Sequence, residues 1–350
     1  MKPTKILVHG LDGFGWSIDA DAQAVRRALN DLGFTIARSP WNANVLHSVW
    51  YSQLLSVRAL PLRLLMHNVL ATVTNDVDPQ TDVVVEKLRR WVNVWIVANR
   101  SQYKRFEDAG IRVAYQPFYV DEKVFRPLEL PKQALAASLG IPFERIKGKY
   151  IIGSFQRDTL GSDLSKPKWQ KNPDLLISIL ESLPDKDRWV VLFAGPRRHY
   201  VIAESAKRGI PFIYYGKTPT PGVDDITTNI CPPDRMAELY NICDVHVITS
   251  RSEGGPKAVV ESVLCGRPVF STPVGWAPDF LPQNWLFSTK DEAVGLIRQH
   301  MLWIQKCHEK SDVAETRERV LSICNYEVYK QRWFEIYHKY FFWNENASII

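Results

Sequence analysis

The stretch Ser250-Arg-Ser-Glu-Gly-Gly-Pro-Lys-Ala-Val-Val-Glu261, running on as Ser-Val-Leu-Cys-Gly-Arg-Pro-Val-Phe-Ser-Thr-Pro-Val-Gly275, decides how this chain is read. It sets two carboxylates, Glu253 and Glu261, around a Gly254-Gly255-Pro256 that opens a helix. Pro256 suits the first helical position, because its missing N–H has no intrahelical partner to lose. Gly254 and Gly255 leave the neighbouring amides uncovered, and free N–H groups at the positive end of a helix dipole attract anions. Glu253 then lies on the loop before the helix, and Glu261 more than a turn inside it. Both can reach one elongated ligand whose phosphates rest at the helix tip. Gly266-Arg-Pro ends the helix, and Pro268-Val-Phe-Ser-Thr272 reads as a short buried strand. The unit is strand, phosphate loop, helix, strand.

The rest of the composition suits such a unit. At 350 residues the chain is long enough for two domains, each with a full core. Its 45% hydrophobic and 23% charged residues are those of a globular protein. No window approaches the run of about 18 apolar residues that a membrane span needs. The start, Met-Lys-Pro-Thr-Lys-Ile-Leu-Val-His9, enters a strand directly and lacks the pattern of a signal peptide. Five cysteines without a Cys-x-x-Cys read as reduced thiols, and a cytoplasmic protein is expected. Cys307-His308 gathers no further ligands around it. The net charge of +6 permits attraction to acidic lipids or nucleic acid without demanding either. Its basic doublets, such as Arg26-Arg27 and Arg89-Arg90, are scattered and read as solvated helix faces.

Strands and helices alternate along both halves. Ile6–His9, Phe34–Ala37, Val45–Val49, Leu70–Thr74 and Val94–Ala98 are strand candidates in the first half, with helices over Asp21–Leu32 and Ser101–Ala109. Tyr150–Phe155, Trp189–Ala194, Val245–Thr249 and Pro268–Ser271 follow in the second, with helices over Gln133–Leu139 and Asn172–Leu183. Such alternation implies parallel sheets covered on both faces. The first loop, Gly10-Leu-Asp-Gly13-Phe-Gly15, is not the Gly-x-Gly-x-x-Gly dinucleotide fingerprint, so no nicotinamide site is read there.

With its flank Met236–Ser250 and its Gly-Gly-Pro included, the opening stretch resembles the Glu-x7-Glu signature of retaining, GT-B-fold glycosyltransferases of group one, which include glycogen synthase. The resemblance implies an α/β fold of two Rossmann-like domains with parallel sheets facing a central cleft. It divides the chain into an acceptor domain over 1–127, a nucleotide-sugar domain over 128–325, and a C-terminal helix over 326–350 that packs back on the first domain. The first boundary rests on Gln116–Pro127, similar to the family's closing segment, with Phe118-Tyr119 where Asn-Gly is usual.

The resemblance also implies roles. Glu253 would orient the donor sugar with help from the Gly254 and Gly255 amides, Pro256 and Lys257 would line the donor site, and Glu261 would hold the ribose diol. Gly153-Ser-Phe-Gln-Arg157 is similar to the family's Gly-Arg strand end, and Lys171-Asn-Pro-Asp to its lysine-bearing helix start. Arg157 and Lys171 would then neutralise the leaving diphosphate. An insertion, Asp158–Gln170, separates them and brings Lys166 and Lys168 as rival lysines. The implied activity is a metal-independent, retaining hexosyl transfer from a UDP- or GDP-sugar to a glycan or lipid-linked saccharide. The nucleotide sugar is a co-substrate, and no cofactor is expected.

In the first half, Thr72-Val-Thr-Asn-Asp76 is the nearest match to the family's Thr-x-His-Asp, with Asn75 where histidine stands. Asn75, Asp76, Gly13, Gly15 and His47 are the candidates to line the cleft, and His9 ends a strand on the same side. Asp76-Val-Asp78 also spells an Asp-x-Asp, which reads here as a turn before Pro79. Tyr326, Tyr329, Trp333 and Tyr337 form one apolar stripe for packing. Val49–Met66 combines leucines with Arg58 and Arg63, as a buried helix broken at Pro61 or as a peripheral membrane contact. Two other function classes remain open: transfer to nucleic-acid bases, which no recognition motif supports, and non-catalytic binding of nucleotide sugars.

Overall fold

Parallel strands buried on both faces need uninterrupted apolar runs, and this chain supplies them. The computed structural model describes residues 5–11, 13, 17–305 and 311–342. Its contacts divide the chain into Met1–Tyr119 with Ser322–Ile350, and Val120–Leu321. Gly15 and the Cys307-His308 pair lie outside the described residues.

The first unit holds β1 (Lys5–His9), β2 (Thr35–Ile36), β3 (Val45–Ser48), β4 (Val69–Val73), β5 (Val94–Val97) and β6 (Val113–Tyr115), in the order β2-β1-β3-β4-β5-β6. Every pairing is parallel. Side chains of a strand alternate between faces. In β5, Val94 and Ile96 therefore enter one core, and Trp95 and Val97 the other. The first core takes Val25 and Leu29 of the helix Ser17–Asp31 and the rings Tyr326, Tyr329, Trp333 and Tyr337 of the helix Tyr326–Tyr337. The second takes Phe106 of the helix Arg100–Asp108 with Tyr51, Leu54 and Leu62.

The second unit holds β7 (Tyr150–Ser154), β8 (Trp189–Ala194), β9 (Phe212–Tyr215), β10 (Val245–Ile248) and β11 (Val269–Ser271), in the order β11-β10-β7-β8-β9, all parallel. The chain builds outward from β7 through β8 and β9, then returns to the other side of β7 as β10 and β11. Its direction of growth reverses between β7 and β10. At such a reversal a crevice opens outside the carboxyl ends of the strands, which is where ligands bind in open α/β sheets. The first unit has its reversal between β1 and β3.

The edge strands β6 and β9 escape the sequence reading. Each pairs on one side only. Three residues make β6, and β9 is four residues long and starts directly after Pro211, which breaks the run before it. Val49–Met66 is not one helix. It folds as 3-10 turns over Tyr51–Leu55 and Val57–Ala59 and a helix over Leu60–Leu65, with Pro61 in that helix's first turn. Among the described residues no helix is long and apolar enough to cross a membrane.

Candidate active site

The loop after β10 is fixed from several sides before it reaches the helix Lys257–Leu264. Thr249 Oγ1 donates to the carbonyls of Lys171 at 3.2 Å and Asn172 at 3.1 Å. The Arg251 amide donates to Gln170 O at 2.8 Å, and its guanidinium to Trp169 O at 3.1 Å. Thr272 Oγ1 donates to Ser250 O at 2.6 Å. Gly275 forms the floor, with φ +53°, a conformation glycine adopts without strain. A Cβ there would lie 2.7 Å from Pro256 Cδ and 2.8 Å from Glu253 O. Gly275, the last residue of the Pro-Val-Gly after the motif, is thus required by packing against the Glu253 turn.

These bonds staple the turn Trp169–Lys171 to the Glu253 loop, and Lys171 meets Glu253 as a result. The Lys171 ammonium pairs with Glu253 Oε1, their side chains only 20% and 12% exposed. Ser250 Oγ donates to the same oxygen at 2.7 Å, and Gln156 Nε2 donates to Ser250 Oγ at 3.2 Å. Lys168 joins the group. Burial pushes its ammonium down to about 8, Arg157 and Lys171 push it the same way, and Glu253 partly offsets them. Lys168 thus lies within electrostatic reach of Arg157, Lys171 and Glu253. Lys166 stands apart, 71% exposed and paired with Asp163 at 3.1 Å.

The insertion that carries these lysines is anchored in the core. Asp158 accepts from the Val201 amide at 3.0 Å and faces the buried Arg198 at 3.8 Å. Arg198 donates in turn to Ser154 Oγ at 3.2 Å. Burial still raises the Asp158 carboxyl to about 6, although Arg198 opposes the shift. Its main chain holds the loop, with Lys168 N donating to Asp158 O at 2.6 Å and Asp158 N to Arg197 O at 3.1 Å. Asp158 and Arg198 carry no sequence signal, because 40 residues of chain separate two ordinary charges.

Pro256 corrects the sequence reading by one position. The helix starts at Lys257, and Pro256 is its extended N-cap with φ −69° and ψ 103°. Glu261 is one turn further in, where Tyr240 OH donates to its Oε2 at 2.8 Å. The Tyr240 ring packs in a cluster with Phe155 and His246, with centroids at 5.1 and 5.2 Å. Gln156, Ser250 and Tyr240 were missed because hydroxyls and amides are too common to stand out. The nearby thiols of Cys243 and Cys265 are buried, and burial pushes both up, away from the reactive thiolate. Among the described residues no three His, Cys, Asp or Glu side chains form a group that could hold a metal ion.

Residues 165–291, all within the second unit, match the family model described as glycosyl transferases group 1. The matched stretch, just over a third of the chain, contains the Glu253 loop and the helix Lys257–Leu264. A curated relative, D-inositol 3-phosphate glycosyltransferase of Mycolicibacterium vanbaalenii, is 26% identical over 141 residues, 39% of this chain. That match spans 31% of the relative's own length. Among solved structures, Alr3699/HepE of Anabaena with UDP and glucose aligns over 96% of this chain and 100% of its own, at TM-score 0.71 and 14% identity. Sucrose-phosphate synthase of Thermosynechococcus elongatus aligns over 98% and 100%, at TM-score 0.69 and 13% identity. The fold is GT-B.

The candidates in the first unit each have their own partners. Gly13, in the loop after β1, has φ +77° and donates its amide to Asp19 Oδ1 at 3.3 Å. Asn75 and Asp76 follow β4. The Asn75 carbonyl accepts from Gln102 Nε2 at 2.8 Å, and Asp76 pairs with Arg105. Asp78 accepts from the Gln80 amide at 2.9 Å, so the Asp-x-Asp is an ion pair followed by a turn. His47 departs from expectation. It is a core residue with 0% exposure, its Nδ1 3.0 Å from Tyr337 OH and its Nε2 3.3 Å from Thr72 Oγ1. Strand β3 is central and covered on both faces, which turns His47 inward.

Proposed function

We propose that this protein transfers a glycosyl group from a nucleoside-diphosphate sugar, with retention of configuration, to a glycan or lipid-linked saccharide. The observation that carries the reading is the meeting of Arg157, Lys168, Lys171 and Glu253 at the carboxyl ends of β7 and β10, beside a helix N-terminus. Like charges forced together raise one another's free energy, and an incoming diphosphate relieves that repulsion. The same cations act more strongly as charge grows on the leaving phosphate, which is the condition for speeding the reaction. Glu253, released from Lys171 when phosphate takes the lysine, is free to accept hydrogen bonds from sugar hydroxyls. Glu261, set at a fixed angle by Tyr240, is placed to accept from a ribose diol. Protein cations supply the charge neutralisation, so turnover is expected to survive chelators. HepE, a fold relative, was solved with UDP-glucose, which makes UDP-sugars the first donors to try.

Thermal shift against a panel of UDP-, GDP- and ADP-sugars tests the donor half, since a bound donor stabilises the fold by mass action. A rise in melting temperature with one nucleotide series, followed by release of that nucleoside diphosphate on adding acceptor, is the expected result. Proton NMR of the product then reads the anomeric configuration, and inversion would overturn the retaining assignment. Stabilisation by a nucleotide sugar without any release or hydrolysis would favour a binding protein instead.

A further inference from the structure

We propose that the first unit rests on an anionic lipid surface through the face built by Pro40–Asn42 and Val57–Leu65. The chain has no Asp or Glu between Asp31 and Asp76, while Arg38, Arg58 and Arg63 all fall in that span. The same span holds the three most exposed large apolar side chains among the described residues, Val57 at 88%, Trp41 at 80% and Leu64 at 72%, with Leu60 at 55%.

The two faces of this segment have separate jobs. Ala59, Leu62 and Met66 enter the core and account for its folding. Leu60 and Leu64, four residues apart on the helix Leu60–Leu65, share the other face. Arg63 lies between them in sequence, its guanidinium 5.5 Å from the Trp91 ring centroid. The turn carrying Trp41 neighbours this helix. Core packing explains none of the outward side chains. Protruding leucine and valine suit the boundary between headgroups and acyl chains, tryptophan suits the headgroup level, and arginines beside them attract anionic lipids. A second copy of the same face is disfavoured by charge, because a two-fold contact would set arginines against arginines with no carboxylate in the segment itself to pair them.

Sedimentation of the full chain with vesicles tests this, and neither arm uses a sugar nucleotide, so its failure is distinct from failure of the donor reading. The expected result is binding to vesicles of mixed phosphatidylglycerol and phosphatidylcholine at low salt, weakened by added salt. Phosphatidylcholine alone should bind at least about tenfold less. Combined Trp41→Ser, Leu60→Ser and Leu64→Ser should also reduce binding by about tenfold or more, since the apolar contact is removed. Arg58→Glu, at an exposed side chain, keeps the test open if the triple variant melts early. Failure to bind phosphatidylglycerol vesicles at low salt, equal binding to neutral vesicles, or unchanged binding by both variants overturns the proposal. So does an oligomeric wild type that the variants turn monomeric, since the face would then be a protein interface.

Discussion

Each unit follows a parallel strand with a loop that carries a carboxylate, but the two loops treat it differently. After β4, Asp76 is matched by one arginine, Arg105, and the neighbouring Asn75 carbonyl is taken by Gln102. After β10, Glu253 is paired with Lys171 while Lys168 and Arg157 crowd the same spot. A one-to-one pair shows little net charge to its surroundings, whereas Lys168 beside the Lys171–Glu253 pair adds a further cation to that spot. The same strand-loop-helix design thus holds a matched ion pair in one unit and gathers extra cations in the other. Electrostatics, and not topology, separates them.

The widest gap between the loops should show in turnover. Lys171→Met is expected to lower kcat by about two to three orders of magnitude, as for loss of a group aimed at transition-state charge, while Asp76→Asn changes it only a few-fold. Steady-state kinetics with the stabilising donor measure both, and the reverse ranking would move the chemistry to the first unit. Next comes ground-state binding. Glu261→Ala should weaken a nucleoside diphosphate by about 1.5–3 kcal/mol, the worth of hydrogen bonds to a charged acceptor. Calorimetry reads this directly, and unchanged affinity would remove Glu261 from the donor site.

Two buried histidines sharpen the comparison in stability. His47 has both ring nitrogens in hydrogen-bond contact, whereas neither nitrogen of the equally buried His246 has a partner. His47→Leu strands the Thr72 and Tyr337 hydroxyls and should cost roughly 2 kcal/mol at neutral pH. His246→Leu breaks no such bond and should stay within about 1 kcal/mol of the parent. Urea titration separates the two, and equal losses would mean that packing, not hydrogen bonding, sets the price of each.

The smallest effect is the pH dependence that these histidines share. Burial lowers both from 6.5 to about 3. Between those values the unfolded chain binds protons that the native protein refuses. Stability is therefore full above pH 6.5 and is lost as pH falls toward 3. Over the first pH unit below 6.5 each histidine should remove about 1 kcal/mol. Each leucine variant should flatten its share of that slope. An unaltered slope would show that the imidazoles stay neutral in the unfolded state too, or that other groups dominate.

Parallel sheets were legible because buried strands must be continuously apolar, as in Val94–Val97 and Trp189–Ala194. The edges β6 and β9 were not, because β6 is only three residues long and β9 follows directly on a proline. The turn around Glu253 was legible for a local reason: Gly254, Gly255 and Pro256 state a helix start in three consecutive residues. The first-unit residues gave less, since a histidine such as His47 reads the same in a core as at a surface.

By itself the sequence determined the two-unit α/β architecture and the loop-and-helix carrying Glu253 and Glu261, because both follow from local pattern and backbone preference. Only the tertiary structure decided that Lys171 and not Lys166 meets Glu253, across 82 residues of chain. It alone anchored the intervening loop through Asp158 and Arg198, and it alone buried His47 beneath the last helix. Those outcomes depend on which strand ends become neighbours and how far each group is withdrawn from water. Neither quantity is written in spacing along the chain.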